Sequence, residues 1–167
     1  MASQDWVNAD NLTHTAATVL MTIGPDDEVY VAAVFQRAGG LLSLPKGRVE
    51  LGDMGSTAAC AMRELGEEVG MKRGATMSAP QYIGSHHFEK QGNVVSWFAV
   101  VTPEMYLNVV DTHEVCSSDW LSLRDIMTNK KYVNKCFANR SFRVFRNPAT
   151  VSSLRAFAYA MYDANQW

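Results

Sequence analysis

Residues 15–23 (TAATVLMTI) and 28–36 (EVYVAAVFQ) are rich in β-branched, aliphatic and aromatic side chains, and the Gly-Pro-Asp-Asp stretch between them carries turn chemistry. They predict a β-hairpin or a pair of adjacent strands. Ala38, Gly39 and Gly40 mark a second turn, after which LLSLP and GRVE predict two short extended pieces that hold the loop 45–47 between them. From 56 to 69 the apolar positions Ala58, Met62, Leu65 and Val69 recur at i, i+4, i+7 and i+11, one face of an α-helix. Ser56 is the expected N-cap and Gly70 the expected stop. Residues 81–89 and 93–102 predict two more strands around a turn at 91–93, and a short helix is expected near Leu123–Thr128. A last amphipathic helix follows Pro148, with Val151, Leu154, Phe157, Ala158 and Met161 on its buried side. Strands and helices are mixed, with hairpins instead of regular βαβ units. Without repeat, low-complexity tract or linker, residues 1–167 read as a single domain.

Composition adds bounds to this pattern. A chain of 167 residues, 47% hydrophobic and 19% charged, has the makings of an ordinary core, which excludes wholesale disorder. No stretch approaches 18 consecutive apolar residues, and the opening MASQDWVNAD holds two acids and no base, so neither a membrane span nor a leader is expected and the expected compartment is the cytoplasm. Cys60, Cys116 and Cys136 lack metal-ligand spacing and are odd in number, so reduced, mostly buried thiols are expected. The net charge of −2 conceals a split: residues 1–125 carry −8, whereas 126–155 carry +7 through Lys130, Lys131, Lys135, Arg140, Arg143, Arg146 and Arg155. One part is suited to cations and the other to an anion, or the two are simply solvated faces.

Candidate chemistry concentrates on the predicted helix 56–69. Opposite its apolar stripe, Glu64, Glu67 and Glu68 stand at i, i+3 and i+4, within one arc of the surface. Two unit charges about 4 Å apart repel by roughly 4 kcal/mol at an effective dielectric near 20. Glu67 and Glu68 also fall in the last turn, where the helix dipole disfavours acids. Salt bridges along the helix offer little relief: Arg63 reaches Glu67 in the less favourable order, and Glu64 and Glu68 are a like-charged pair. A divalent cation would turn repulsion into attraction, and hard oxygen ligands select Mg²⁺ or Mn²⁺.

Gly47, Asp53 and the run Arg63-Glu64-Leu65-Gly66-Glu67-Glu68-Val69-Gly70-Met71 resemble the Nudix box: G, five residues, E, seven residues, then R-E-U-x-E-E-x-G-U with U apolar. The second half agrees at every specified position. The first half departs twice, since Asp53 stands in place of Glu and nine residues, 54–62, replace seven. Those departures bear on the contact between Asp53 and Arg63 and leave the glutamates in register. The resemblance implies an α/β (α+β) fold, an α/β/α sandwich around a mixed β-sheet, acting on a nucleoside diphosphate linked to another moiety or on a related diphosphate. It also implies roles. Glu64 and Glu68 would hold the metal with the backbone carbonyl of Gly47, Glu67 would be a further ligand or the general base, and Arg63 would orient the carboxylates. His113-Glu114, five residues, then Trp120-Leu121-Ser122-Leu123 resembles a loop of some dinucleoside polyphosphate hydrolases that brings another glutamate to the metals, so Glu114 is a second candidate base beside its reading as a solvated loop acid.

The segment Pro45-Lys46-Gly47-Arg48 bears on substrate, because family members with a P-K-G start to the box commonly cleave diphosphoinositol or dinucleoside polyphosphates. Lys46 and Arg48 can donate to phosphate oxygens, and Lys130, Lys131, Arg140 and Arg143 are expected to hold further phosphates. A diphosphoinositol polyphosphate is therefore the expected substrate and a dinucleoside polyphosphate the alternative. An mRNA-decapping enzyme, or a Nudix-fold RNA-binding module without catalysis, follows at greater distance, with nucleic acid otherwise expected only as a substrate. His86 and His87 are neighbours on a strand, so at most one faces a cleft. Tyr82, Trp97, Phe98 and Phe142 could stack on a base or fill the core.

Overall fold

The computed structural model describes residues 4–36, 42–71, 76–103, 107 and 115–164, the side chains of Cys116 and Lys135 excepted. Glu114 lies outside the described residues. The elements run β1 (Thr13–Ile23), β2 (Val29–Gln36), β3 (Leu42–Ser43), β4 (Lys46–Arg48), α1 (Thr57–Val69), β5 (Gln81–Phe88), β6 (Asn93–Val101), β7 (Val115–Ser122), α2 (Leu123–Thr128), α3 (Lys130–Phe137) and α4 (Pro148–Asp163). Short 3₁₀ turns span Leu51–Asp53 and Arg140–Arg146. No helix among the described residues is long and apolar enough to cross a membrane.

The sheet runs β3-β2-β1-β6-β5, with β4 paired to β1 and β7 to β2. It is mixed: β1 lies parallel to β6 from Thr13↔Asn93 to Met21↔Val101, and the other pairs are antiparallel. Strand β1 is buried on both faces, which is why it reads as a continuous apolar run instead of an alternation. Its odd positions, Ala17, Val19, Met21 and Ile23, pack with Leu123, Ile126, Phe142, Phe145, Leu154 and Ala158. Its even positions, Ala16 and Leu20, belong to the clusters formed with Cys60, Ala61, Leu65 and Val69 of α1. The result is three layers, α1 on one face and α2, α3, the 140–146 turn and α4 on the other, as the α/β/α expectation had it.

Two pieces depart from the sequence pattern. Strand β7 carries a polar centre, Ser117-Ser118-Asp119, and is extended because β2 pairs with it from Tyr30↔Ser122 to Phe35↔Ser117. Helix α3 is also new, entered through Asn129, whose side chain accepts from Lys131 N at 3.0 Å.

Candidate active site

Helix α1 begins at Ser56, whose hydroxyl accepts from Ala59 N at 3.1 Å, and ends at Gly70, left-handed at φ 79°. Both ends are where the sequence puts them. The buried arc is not. Cys60, Ala61, Glu64, Leu65, Glu68 and Val69 face inward, while Ala58 and Met62 are half-buried. Glu64 and Glu68, expected on the outer surface, are only 6% and 2% exposed. They sit one position before Leu65 and Val69, about 100° around the helix, and that edge of α1 is covered by β4.

The covering is close. A methyl group at Gly47 would fall inside the Glu64 carboxylate and come within 2.7 Å of its Cγ, so any larger residue there would force the Glu64 side chain to move. Strand β4 is held there by pairing Ala16↔Gly47 with β1, and Thr18 N donates to the Pro45 carbonyl at 2.9 Å. Lys46 N donates to Glu68 Oε2 at 3.3 Å, and the Cys60 thiol donates to the Gly47 carbonyl at 3.4 Å. Burial pushes that thiol up to about 12, so it remains protonated at neutral pH.

Arg63 organises the acids around it. Its Nε and Nη2 grip Asp53 at 3.1 and 3.0 Å, Nη1 meets Glu64 Oε1 at 2.8 Å and Glu67 Oε2 at 3.5 Å, and Glu50 stands 3.7 Å away. Burial works against the Arg63 charge, yet the bond to Asp53 and the charges of Glu64 and Asp53 outweigh it and hold the guanidinium above its ordinary value. Burial likewise works against the Asp53 carboxylate, but the Arg63 bond, the Glu50 N–H and the Arg63 charge keep it below its ordinary range. Asp53 and Glu50 cap the 51–53 turn reciprocally. In the 54–62 stretch, two consecutive left-handed residues, Met54 at φ 53° and Gly55 at φ 77°, turn the chain between the 51–53 turn and α1. Asp53 and Arg63 therefore meet despite the longer spacing.

Glu64, Glu68, Gly47 and Arg63 thus converge on the β4–α1 junction, and Glu67, with a side chain 40% exposed, stands at its rim. Among the described residues no three His, Cys, Asp or Glu side chains close around one point. The donor set still fits a hard dication, because Mg²⁺ is commonly held by one or two carboxylates while water and substrate phosphates complete its octahedron. Two buried carboxylates and the Gly47 carbonyl are that partial set.

The remaining candidates divide. Lys46 is half-buried beside Gly47; Arg48 is exposed and paired with Asp5 at 2.8 Å. Lys130, Lys131, Arg140 and Arg143 are exposed in the layer on the opposite face of the sheet, and the structure does not bring them to the glutamates. His86 stacks edge-on against Phe88 at 4.6 Å, and His87 is exposed. Trp97 and Phe142 are core, Trp97 donating to the Ser141 carbonyl at 2.8 Å. Tyr82 differs: it is 49% exposed and stands edge-to-face on Phe98, which packs against Cys60 and Ala61 on the α1 side. Cys60 and Cys136 are buried free thiols, as expected. The sequence reading missed Asp5, Glu50 and Cys60. Helical arithmetic could have found Cys60, one turn before Glu64, but nothing local announces that the N-terminal residues pair back onto 48–50, where Trp6 N reaches the Val49 carbonyl at 2.8 Å.

A sequence profile of the NUDIX domain matches residues 12–141. Curated protein sequences show no significant match to this chain. Solved structures do show likeness in fold. A C. elegans Ap4A hydrolase in a binary complex is 15% identical, with a TM-score of 0.63 over 89% of this chain and 99% of that one. The NUDIX domain of Shewanella oneidensis NrtR complexed with ADP ribose is 17% identical, with a TM-score of 0.58 over 70% and 76%. A MutT structure from a study of Aliivibrio salmonicida and Vibrio cholerae is 18% identical, with a TM-score of 0.52 over 87% and 98%.

Proposed function

The chain belongs to the Nudix hydrolase family, and from that premise we propose that it hydrolyses a phosphoanhydride bond in a dinucleoside polyphosphate. Hydrolases of this family generally use divalent metal ions. Here Glu64, Glu68 and the Gly47 carbonyl would hold the cation, which supplies neutralisation of charge on the phosphoryl oxygens and acidifies bound water. The observation that carries the reaction class is the burial of Glu64 and Glu68 against β4, whose Gly47 leaves room for the Glu64 carboxylate. Two carboxylates held out of water beside Arg63 are costly unless charge compensation is part of their task.

The chain's own residues do the rest. Arg63 fixes the Glu64 and Glu67 carboxylates, and Asp53 and Glu50 fix Arg63, so the acids are positioned before substrate arrives. Glu67 at the rim is the acid placed to accept a proton from an attacking water, with Glu114 as the other proposed base. Lys46 stands beside the junction to meet phosphate oxygens.

Tyr82 supports the leaning on substrate. Half exposed and braced by Phe98 on the side of the sheet that carries α1, it offers a nucleobase a ring to stack on. The similarity in fold to an Ap4A hydrolase over nearly the whole of both chains supports the same leaning. The basic run that favours a diphosphoinositol polyphosphate lies in the other layer; Lys46 and Arg48 flanking Gly47 keep that substrate as the second reading. The test offers purified protein, with and without Mg²⁺ or Mn²⁺, diadenosine polyphosphates, diphosphoinositol pentakisphosphate, nucleotide sugars and capped RNA in parallel. Cation-dependent turnover of the diadenosine compounds is expected, with Tyr82→Ala raising KM for them and sparing the inositol substrate. Glu68→Gln is expected to lower kcat about a hundredfold or more. An unimpaired Glu68→Gln enzyme overturns the site, and turnover of the inositol substrate alone overturns the substrate.

A further inference from the structure

The 3₁₀ turn Arg140–Arg146 sorts its residues with unusual regularity: Ser141, Phe142 and Phe145 are buried, and Arg140, Arg143 and Arg146 are exposed. A 3₁₀ helix has three residues per turn and rises about 2 Å per residue, so positions three apart eclipse. The backbone positions of the three arginines therefore fall on one outward edge of the turn, about 6 Å from one to the next along an ideal axis.

Both ends of the row are braced. The Arg140 guanidinium lies over the Phe88 ring at 5.3 Å, and the Arg146 guanidinium over the Phe137 ring at 5.5 Å. From inside, Ser141 fixes the turn to the sheet: its hydroxyl accepts from Leu44 N at 3.0 Å, and its carbonyl accepts from Trp97 Nε1 at 2.8 Å. Asn139 caps the entry through Ser141 N at 2.9 Å. Braced cations lose less freedom on binding than free ones do.

Arg146 and Phe137, with Val133, Asn134 and Ala138, line a shallow, open hollow of about 460 Å³. Lys130 and Asn134 stand at i and i+4 on α3, and Ala138 caps its end, so Lys130 stands one turn from the hollow on the same stripe. No acid occurs between Asp125 and Asp163, and none of Lys130, Lys131, Arg140, Arg143, Arg146 and Arg155 forms an ion pair among the described residues.

We propose that this row and hollow form a binding surface for single-stranded nucleic acid, separate from the hydrolytic junction on the other face of the sheet. Exposed arginines carried along one edge suit successive phosphates of an extended strand, and the open hollow, with apolar side chains, an amide and an arginine plane, suits one unstacked base. A compact inositol polyphosphate asks instead for converging cations. A lipid surface asks for exposed apolar side chains, and the large ones among the described residues, Val7, Phe35, Leu51, Met54 and Tyr82, all lie outside α3, the turn and α4.

Fluorescence anisotropy of the full chain with labelled single strands of about 20 nucleotides, one RNA and one DNA, tests this between about 50 and 200 mM salt. Duplex DNA and polyglutamate serve as competitors. Binding of either strand supports the surface, and their affinity ratio identifies the sugar it prefers. Three phosphate contacts on the row predict a log–log salt slope of about −2, and Arg143→Gln, which touches neither aromatic brace, should make it shallower by about 0.7. Joint substitution of Arg140, Arg143 and Arg146 by Gln should weaken binding about tenfold or more at low salt. Unchanged binding in the triple variant overturns the proposal. Equal affinity for duplex overturns the single-strand assignment, and equal displacement by polyglutamate per unit charge transfers the surface to an acidic protein. Arg143→Gln should keep the wild-type hydrolytic rate and Glu68→Gln the wild-type anisotropy, so failure of one activity leaves the other standing.

Discussion

The two layers that enclose the sheet treat charge in opposite ways. On the α1 side the charged groups turn toward one another: one guanidinium meets Asp53, Glu50, Glu64 and Glu67, and two of the glutamates are all but removed from water. On the other side Lys130, Lys131, Arg140, Arg143 and Arg146 point outward and form no ion pair among the described residues, while Arg124 of α2 meets Glu28 at 3.5 Å near the surface. The difference teaches which charges shape the protein. A buried ionic network fixes geometry because any member left alone in low dielectric is expensive, whereas an exposed base fixes little and stays available. Substitutions in the first layer should therefore disturb stability and chemistry together, and substitutions in the second should disturb neither.

The severest test is Gly47→Ala. The added methyl overlaps the Glu64 carboxylate, so a loss of about 1–3 kcal/mol in urea unfolding is expected together with collapse of hydrolysis. Gly52→Ala is the control, because nothing lies within 4 Å of a methyl there, and its midpoint should stay within about 0.5 kcal/mol of wild type. Similar midpoints for the two variants would break the picture of a tightly closed junction.

Asp53→Asn sharpens the contrast through pH. The folded-state carboxyl titrates below its ordinary value of 3.8, so its contribution is complete above that value and is lost as pH falls through the folded one. Wild type should exceed the variant by about 2 kcal/mol at neutral pH, the worth of a hydrogen bond between charged groups. The gap should hold down to about pH 5 and close in stronger acid. Arg143→Gln, in the other layer, should track wild type throughout. A gap that widens with acid would refute the assigned direction.

The smallest effect belongs to the sheet. Thr22 buries its hydroxyl with no hydrogen-bond partner among the described residues, so Thr22→Val should raise stability by about 1 kcal/mol. A lower thermal midpoint would show that the hydroxyl is satisfied after all.

Much of this arrangement could be read from the chain, and the misses share a cause. Strands β1 and β2, the caps of α1 and the Pro148 start of α4 are written in local patterns. Strand β7 is not, since its Ser-Ser-Asp centre is extended only by virtue of its partner β2. Nor is α3, eight residues long, which no local periodicity could stabilise alone. At the site, spacing along α1 identified the glutamates but put Glu64 and Glu68 on the wrong side of the surface. The apolar stripe was counted without β4, whose glycine lets a carboxylate go where a side chain would have to. The arginines were grouped by charge alone, and charge counts carry no information about which face of a sheet a later segment covers.

Met54, 90% exposed, and Gly55 beside it turn the segment after Asp53 away from the junction in two left-handed steps. The stretch behaves like slack in a rope tied firmly at both knots: its length can change while the knots stay put. A peptide tag or fluorophore inserted at Met54 would face water beside α1, whereas a side chain at Gly55 would press on Trp6.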